Sequence, residues 1–185
     1  MFSGRPGLNP CMGFVASIET DVGDCLRLLH PDGQLGGKAL LALLTALGNL
    51  CPTTDDHDLR AWFGRLEAHA ERPICTLTAS LMGAWYAGDW DYRDDEYSIF
   101  QHRSPEMPLT EQDFKRMLNQ VAERWGDIEQ LRTTTDVLLG ALRAAQLEET
   151  WWYHPVWTLR DLDALTHTFR LAAERYARRA RIRFA

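Results

Sequence analysis

The feature that most constrains the fold is the run from Ala39 to Leu50, in which nearly every side chain is apolar. A helix needs about 20 apolar residues to span a bilayer, so this run is too short for a membrane span. It predicts instead a helix that is buried at the centre of a globular domain. Gly48-Asn49 and Pro52 mark the end of that helix, because glycine and proline interrupt helical backbone.

Most of the remaining chain also carries apolar residues at helical spacing. Such stripes extend over 13–29, 59–70, 77–85, 114–125, 128–145 and 159–176. Alternating segments rich in Thr, Val and Ile are nearly absent, although Arg181-Ile182-Arg183-Phe184 alternates and is compatible with a short strand. The pattern therefore predicts an all-α fold of six or seven helices.

Further features of the sequence refine this prediction. Residues 53–56 offer N-caps for the helix over 59–70, and Thr158 with Asp161 is expected to cap the last helix. Residues 1–10, with two Pro and two Gly, are expected to form a flexible leader. Residues 11–185 then form a single helical domain, in which the long connection 88–109 separates two packed halves, 11–87 and 110–185.

Charge is distributed unevenly along the chain. Of 20 basic and 26 acidic residues, six arginines and one acid lie between Arg170 and the C-terminus, so the rest holds 14 basic and 25 acidic residues. An acidic body argues against general nucleic-acid binding, which depends on neutralising phosphates. The arginine stretch, predicted to be helical, is the one place where phosphate contact is expected. The favoured alternative is that these arginines complement the negative end of the helix, pair with the protein's own acids or stay solvated.

The chain shows no sign of secretion or of membrane insertion. The first ten residues lack an apolar signal core, and no run of about 18 apolar residues occurs. The four cysteines are widely spaced and include no Cys-x-x-Cys pair, which argues against a disulfide scaffold and a paired-cysteine zinc site. The expected location is a reducing cytoplasm.

The segment from Asp89 to Glu96 is the strongest candidate site. It combines five carboxylates, one arginine and two large aromatic residues, and its predicted partner-binding side chains are Asp89, Trp90, Asp91, Tyr92, Asp94, Asp95 and Glu96. Aromatic residues anchor protein interfaces, and carboxylates steer a cationic partner toward them. The simplest alternative is a solvated loop, because two carboxylates ~7 Å apart in water repel by only about 0.6 kcal/mol.

Metal binding or catalysis by the same segment is a further alternative. Asp89, Asp91, Asp94 and Asp95 offer oxygen ligands, but the glycine and terminal glutamate of an EF-hand loop are missing. An acid–base enzyme would use Asp89, Asp91 and Asp95 with His102, and with His154 from the second half of the chain. No nucleophile motif or phosphate-binding loop accompanies them: the glycines of Gly33-Gln-Leu-Gly-Gly-Lys38 lack P-loop spacing. No catalytic residue, metal or cofactor is therefore predicted.

A second aromatic cluster follows Glu148-Glu149 and consists of Trp151, Trp152, Tyr153 and Trp157. Aromatic residues at this spacing usually pack between helices, and an exposed binding platform is the alternative.

Together these features favour a non-enzymatic, acidic binding protein of bacterial type that docks on a basic partner protein. An immunity protein or antitoxin that neutralises a toxin has this general character, which is an analogy and not a shared motif.

Overall fold

The computed structural model describes residues 15–49, 55–73, 81, 85–86 and 125–184. In this part of the chain the strands form one sheet. They are β1 (Ala16–Thr20), β2 (Cys25–Arg27), β3 (Trp85–Tyr86), β4 (Gly126–Asp127) and β5 (Arg179–Phe184). The strand order is β2-β1-β5-β3, and β4 also pairs with β5. β1 runs antiparallel to β2 and to β5, whereas β3 runs parallel to β5.

The predicted all-α fold is therefore wrong, and the first error is in the stripe over 13–29. Its i, i+4 spacing fits one face of a helix, but four is also a multiple of the two-residue repeat of a strand. The described residues of this stripe form the β1–β2 hairpin, in which Ala16 and Ile18 are fully buried. Gly23, with φ +90°, lies in the turn that joins the strands. This conformation favours glycine and would interrupt a helix.

Four helices have described bounds: α1 (Lys38–Asn49), α2 (His57–Ala70), α3 (Ile128–Ala145) and α4 (Pro155–Glu174). The predictions of α1, α2 and α3 are confirmed. Asp56 caps α2 by accepting hydrogen bonds from the N–H groups of Asp58 and Leu59. The predicted cap of α4 is wrong, because the helix begins one turn earlier, with Pro155 in its first turn and His154 at the N-cap.

Two predicted helices fall mainly outside the described residues. Trp85, the predicted end of the helix after Pro73, lies in β3, where it pairs with Ile182. Trp125, the predicted end of the other helix, has no regular secondary structure and is partly exposed.

The helices and the sheet share one hydrophobic core. α4 contacts α1, α3, β1 and β2, and α2 packs on α3. Ile18 and Ile182, which are opposite each other in β1 and β5, are fully buried with Phe169 of α4 in the same cluster. In the parts of the chain that are described, no helix combines the length and the apolar character needed to cross a membrane.

The basic C-terminal stretch is not one helix. α4 ends at Glu174, and the N–H groups of Tyr176 and Ala177 then bond to the carbonyls of Ala173 and Ala172. This pair of bonds is the Schellman motif that ends many helices. The residue in the left-handed conformation is Tyr176, with φ 66°, where glycine is the usual residue. The chain then enters the sheet as β5.

The second aromatic cluster is divided between the core and the surface. Trp152 and Tyr153 are buried, and both rings contact Trp62 of α2 edge-on. Trp151 and Trp157 are 59% and 39% exposed. The prediction of core packing is therefore right for Trp152 and Tyr153 only.

Burial raises the pKa of the Tyr153 hydroxyl, which makes stability depend on pH in the alkaline range. An unfolded tyrosine ionises near pH 10, so this contribution is fully present below that pH and is lost as pH rises through the folded-state pKa. We expect the urea midpoint to fall less between pH 8 and pH 11 in Tyr153→Phe than in the wild type. Tyr176→Phe, at an 88% exposed position, is the matched control and should behave as wild type. An equal fall in all three proteins would contradict the prediction.

Candidate functional site

The predicted partner-binding segment, Asp89 to Glu96, lies outside the described residues, as does His102. The nearest described residue before it is Tyr86 in β3, which pairs with Arg183 of β5. His154, the other histidine of the predicted enzyme, serves as the N-cap of α4, where its Nδ1 accepts a hydrogen bond from the N–H of Trp157 at 3.4 Å. The structure therefore gives His154 a structural role.

The most distinctive polar contact in the described part of the chain was not predicted. His30 Nε2 lies 2.6 Å from Asp161 Oδ1, and both side chains are 3% exposed. The two residues are 131 positions apart in the sequence. His30 lies in the turn after β2, and Asp161 lies in the second turn of α4. Buried polar and charged groups are costly unless they are paired. The contact therefore stabilises both the turn after β2 and α4.

Asp161 also binds a third element. Its Oδ2 accepts a hydrogen bond from the backbone N–H of Leu40 at 2.9 Å. Leu40 is in the first turn of α1, which has no acidic residue of its own in that turn. The first N–H groups of a helix lack partners within the helix, and negative charge is stabilising there. Asp161 thus acts as a cap that α4 supplies to α1. We refer to His30, Asp161 and the Leu40 N–H as the clasp.

The backbone around the clasp is shaped by two glycines. A Cβ atom at Gly36 would lie 2.6 Å from Asp161 Oδ1 and 2.7 Å from His30 Nε2. Gly37 has φ +132°, and a Cβ there would lie 2.5 Å from the Ala16 backbone nitrogen. By their spacing alone, these glycines indicate only that a P-loop is absent. Their role is to let the chain pass close to the clasp and to β1.

An aromatic and charged layer lies next to the clasp. The ring of Trp157 stacks on that of His30, with centroids 6.2 Å apart. The Arg160 guanidinium lies 4.9 Å from the Trp157 ring centroid and bonds to Asp32 at 2.5 Å. The hydrogen bond from Arg160, followed by that from the Gln34 N–H, lowers the pKa of Asp32. Asp32 and Arg160 thus join the turn after β2 to α4 a second time, at the surface.

The clasp contains the two groups of a histidine–carboxylate general base, but the structure favours a positioning role. Asp161 Oδ1 accepts a hydrogen bond from the Nε2–H of His30, which leaves Nδ1 as the nitrogen available for chemistry. That atom is buried, and within the described part of the chain it has no hydrogen-bond partner. A general base must lie within hydrogen-bonding distance of the proton that it removes, and burial of this nitrogen among the described residues does not favour that role.

The described residues bring together no group of three or more His, Cys, Asp or Glu side chains that could hold a metal ion. Cys25 is an exposed free thiol in β2. The aspartates proposed as oxygen ligands, Asp89, Asp91, Asp94 and Asp95, lie outside the described residues.

A second ionic cluster lies where β5 pairs with β1. Glu19 accepts hydrogen bonds from Arg181 Nε at 2.7 Å and from Arg183 Nη1 at 3.0 Å. The Arg181 guanidinium also lies 4.5 Å from the centroid of the Trp125 ring. The side chains of Glu19, Arg181 and Arg183 are 17–30% exposed, so this ionic cluster is partly shielded from solvent. Arg175 adds an ion pair with Asp24 at 3.6 Å.

Comparison with family models, with curated proteins and with solved structures finds no match to this chain.

The close approach at Gly36 makes a direct prediction. Gly36→Ala would push its Cβ between His30 and Asp161, and we expect a loss of about 1–3 kcal/mol in the free energy of unfolding, the usual cost of overpacking. Gly64→Ala is the matched control, because Gly64 is exposed in α2 and a Cβ there meets nothing within 4 Å. That change should stabilise the protein by about 0.5–1 kcal/mol through helix propensity. Urea unfolding measures both, and an equal effect of the two changes would refute the packing argument.

Proposed function

We propose that this chain is a non-enzymatic binding protein whose acidic-aromatic segment, Asp89 to Glu96, docks on a cationic partner protein. Trp90 and Tyr92 supply buried anchoring area in this proposal. The carboxylates supply steering and charge complementarity. An immunity-type or antitoxin-type inhibitor of a basic protein is the class that this chemistry fits, and the cytoplasm is the location that we propose.

The observation that carries the proposal is the use of two C-terminal arginines inside the fold. β5 is an inner strand of the sheet, and Arg181 and Arg183 bond to Glu19. These two arginines therefore have a structural role, which weakens the case for a free arginine arm that contacts phosphate. The net charge of −6 then favours a cationic partner.

Other arginines also pair with acids outside the proposed segment. Each is within salt-bridge distance of a described carboxylate: Arg65 with Glu148, Arg132 with Glu129, Arg143 with Asp163, Arg160 with Asp32 and Arg175 with Asp24. These guanidinium groups already have local carboxylate partners. Such surface pairs contribute little stability, typically about 0–1 kcal/mol, but they show where the positive charge is placed.

A charge-reversal experiment tests the proposal. The triple variant Asp91→Lys, Asp94→Lys and Asp95→Lys should lose the partner that the wild-type protein captures from a lysate of its native host. The control variant Glu71→Lys, Glu149→Lys and Glu174→Lys changes the net charge by the same amount at exposed positions and should retain it. Capture of the partner by the wild type, the triple variant and the control variant alike would refute the proposal. Loss from both variants would show dependence on bulk charge and would also refute it.

The same variants distinguish partner binding from an internal role of the carboxylates. Asp89 follows Tyr86 by three residues, and a chain covers at most about 3.6 Å per residue. Tyr86 is the partner of Arg183 in the sheet, so internal pairing of the segment's carboxylates with the protein's own arginines is the outcome that the experiment must exclude. If the carboxylates served the protein's own arginines, reversal would lower the urea midpoint without any partner present. The binding proposal requires a midpoint that stays within the range of the control variant.

The alternative function is a metal-assisted or acid–base enzyme that uses Asp89, Asp91, Asp95 and His102. Elemental analysis of protein purified without chelator separates the two functions. The binding proposal predicts no stoichiometric divalent metal. One equivalent of metal per chain that is lost in Asp91→Asn would contradict the binding proposal and favour the enzyme.

The remaining alternative, a nucleic-acid-associated subunit, depended on a continuous arginine helix over Arg170–Arg183. That helix ends at Glu174, and the arginines beyond it do not form the single helical face that this alternative requires. No observation on the described residues favours it over the binding proposal.

A further inference from the structure

We draw no further inference here: the strongest candidate, the exposed apolar surface of Val156 and Trp157 at the start of α4, carries nothing because no described residue shows what covers it.

Discussion

The clasp is the interaction on which the described fold most depends. Asp161 uses one carboxylate oxygen for His30 and the other for the Leu40 N–H, so one side chain of α4 holds the turn after β2 and the start of α1. All three groups are buried. Breaking a buried pair by removing one partner typically costs about 3–5 kcal/mol, since the remaining group is left without compensation. Gly36 belongs to the same unit, because a larger residue there would occupy the space between the two side chains.

The sheet provides a second long-range connection, because β1, the first described strand in the sequence, pairs with β5, the last. β5 follows the last helix directly, and it pairs with β1 on one side and with β3 and β4 on the other. Its alternating pattern places Ala180 and Ile182 in the core and Arg181 and Arg183 at Glu19. The same strand that completes the core therefore also takes up positive charge. This is the structural reason for proposing that the protein acts through its acids.

Local patterns in the sequence predicted three helices well, but they gave the wrong structure for the β1–β2 hairpin and no long-range structure. α1, α2 and α3 follow from their apolar spacing. The β1–β2 hairpin was missed because an i, i+4 spacing fits a strand as well as a helix, and the end of α4 was missed because Tyr176 occupies a position that glycine usually marks. The clasp had no sequence signal, since its partners lie 131 residues apart, and Asp161 was mistaken for a cap of its own helix. The proposed binding segment rests on composition alone, which indicates chemistry without indicating geometry.

A double-mutant cycle on His30 and Asp161 tests the central claim most directly. The free energy of unfolding would be measured for the wild type, His30→Gln, Asp161→Asn and the double variant. We expect each single change to cost about 3 kcal/mol, because each leaves a buried polar partner behind. The double variant should then cost little more than either single change, which gives a coupling energy in the upper part of the usual range of about 0.5–3 kcal/mol. Costs that add to within about 0.5 kcal/mol would show that the two side chains act independently and would contradict the role assigned to the clasp.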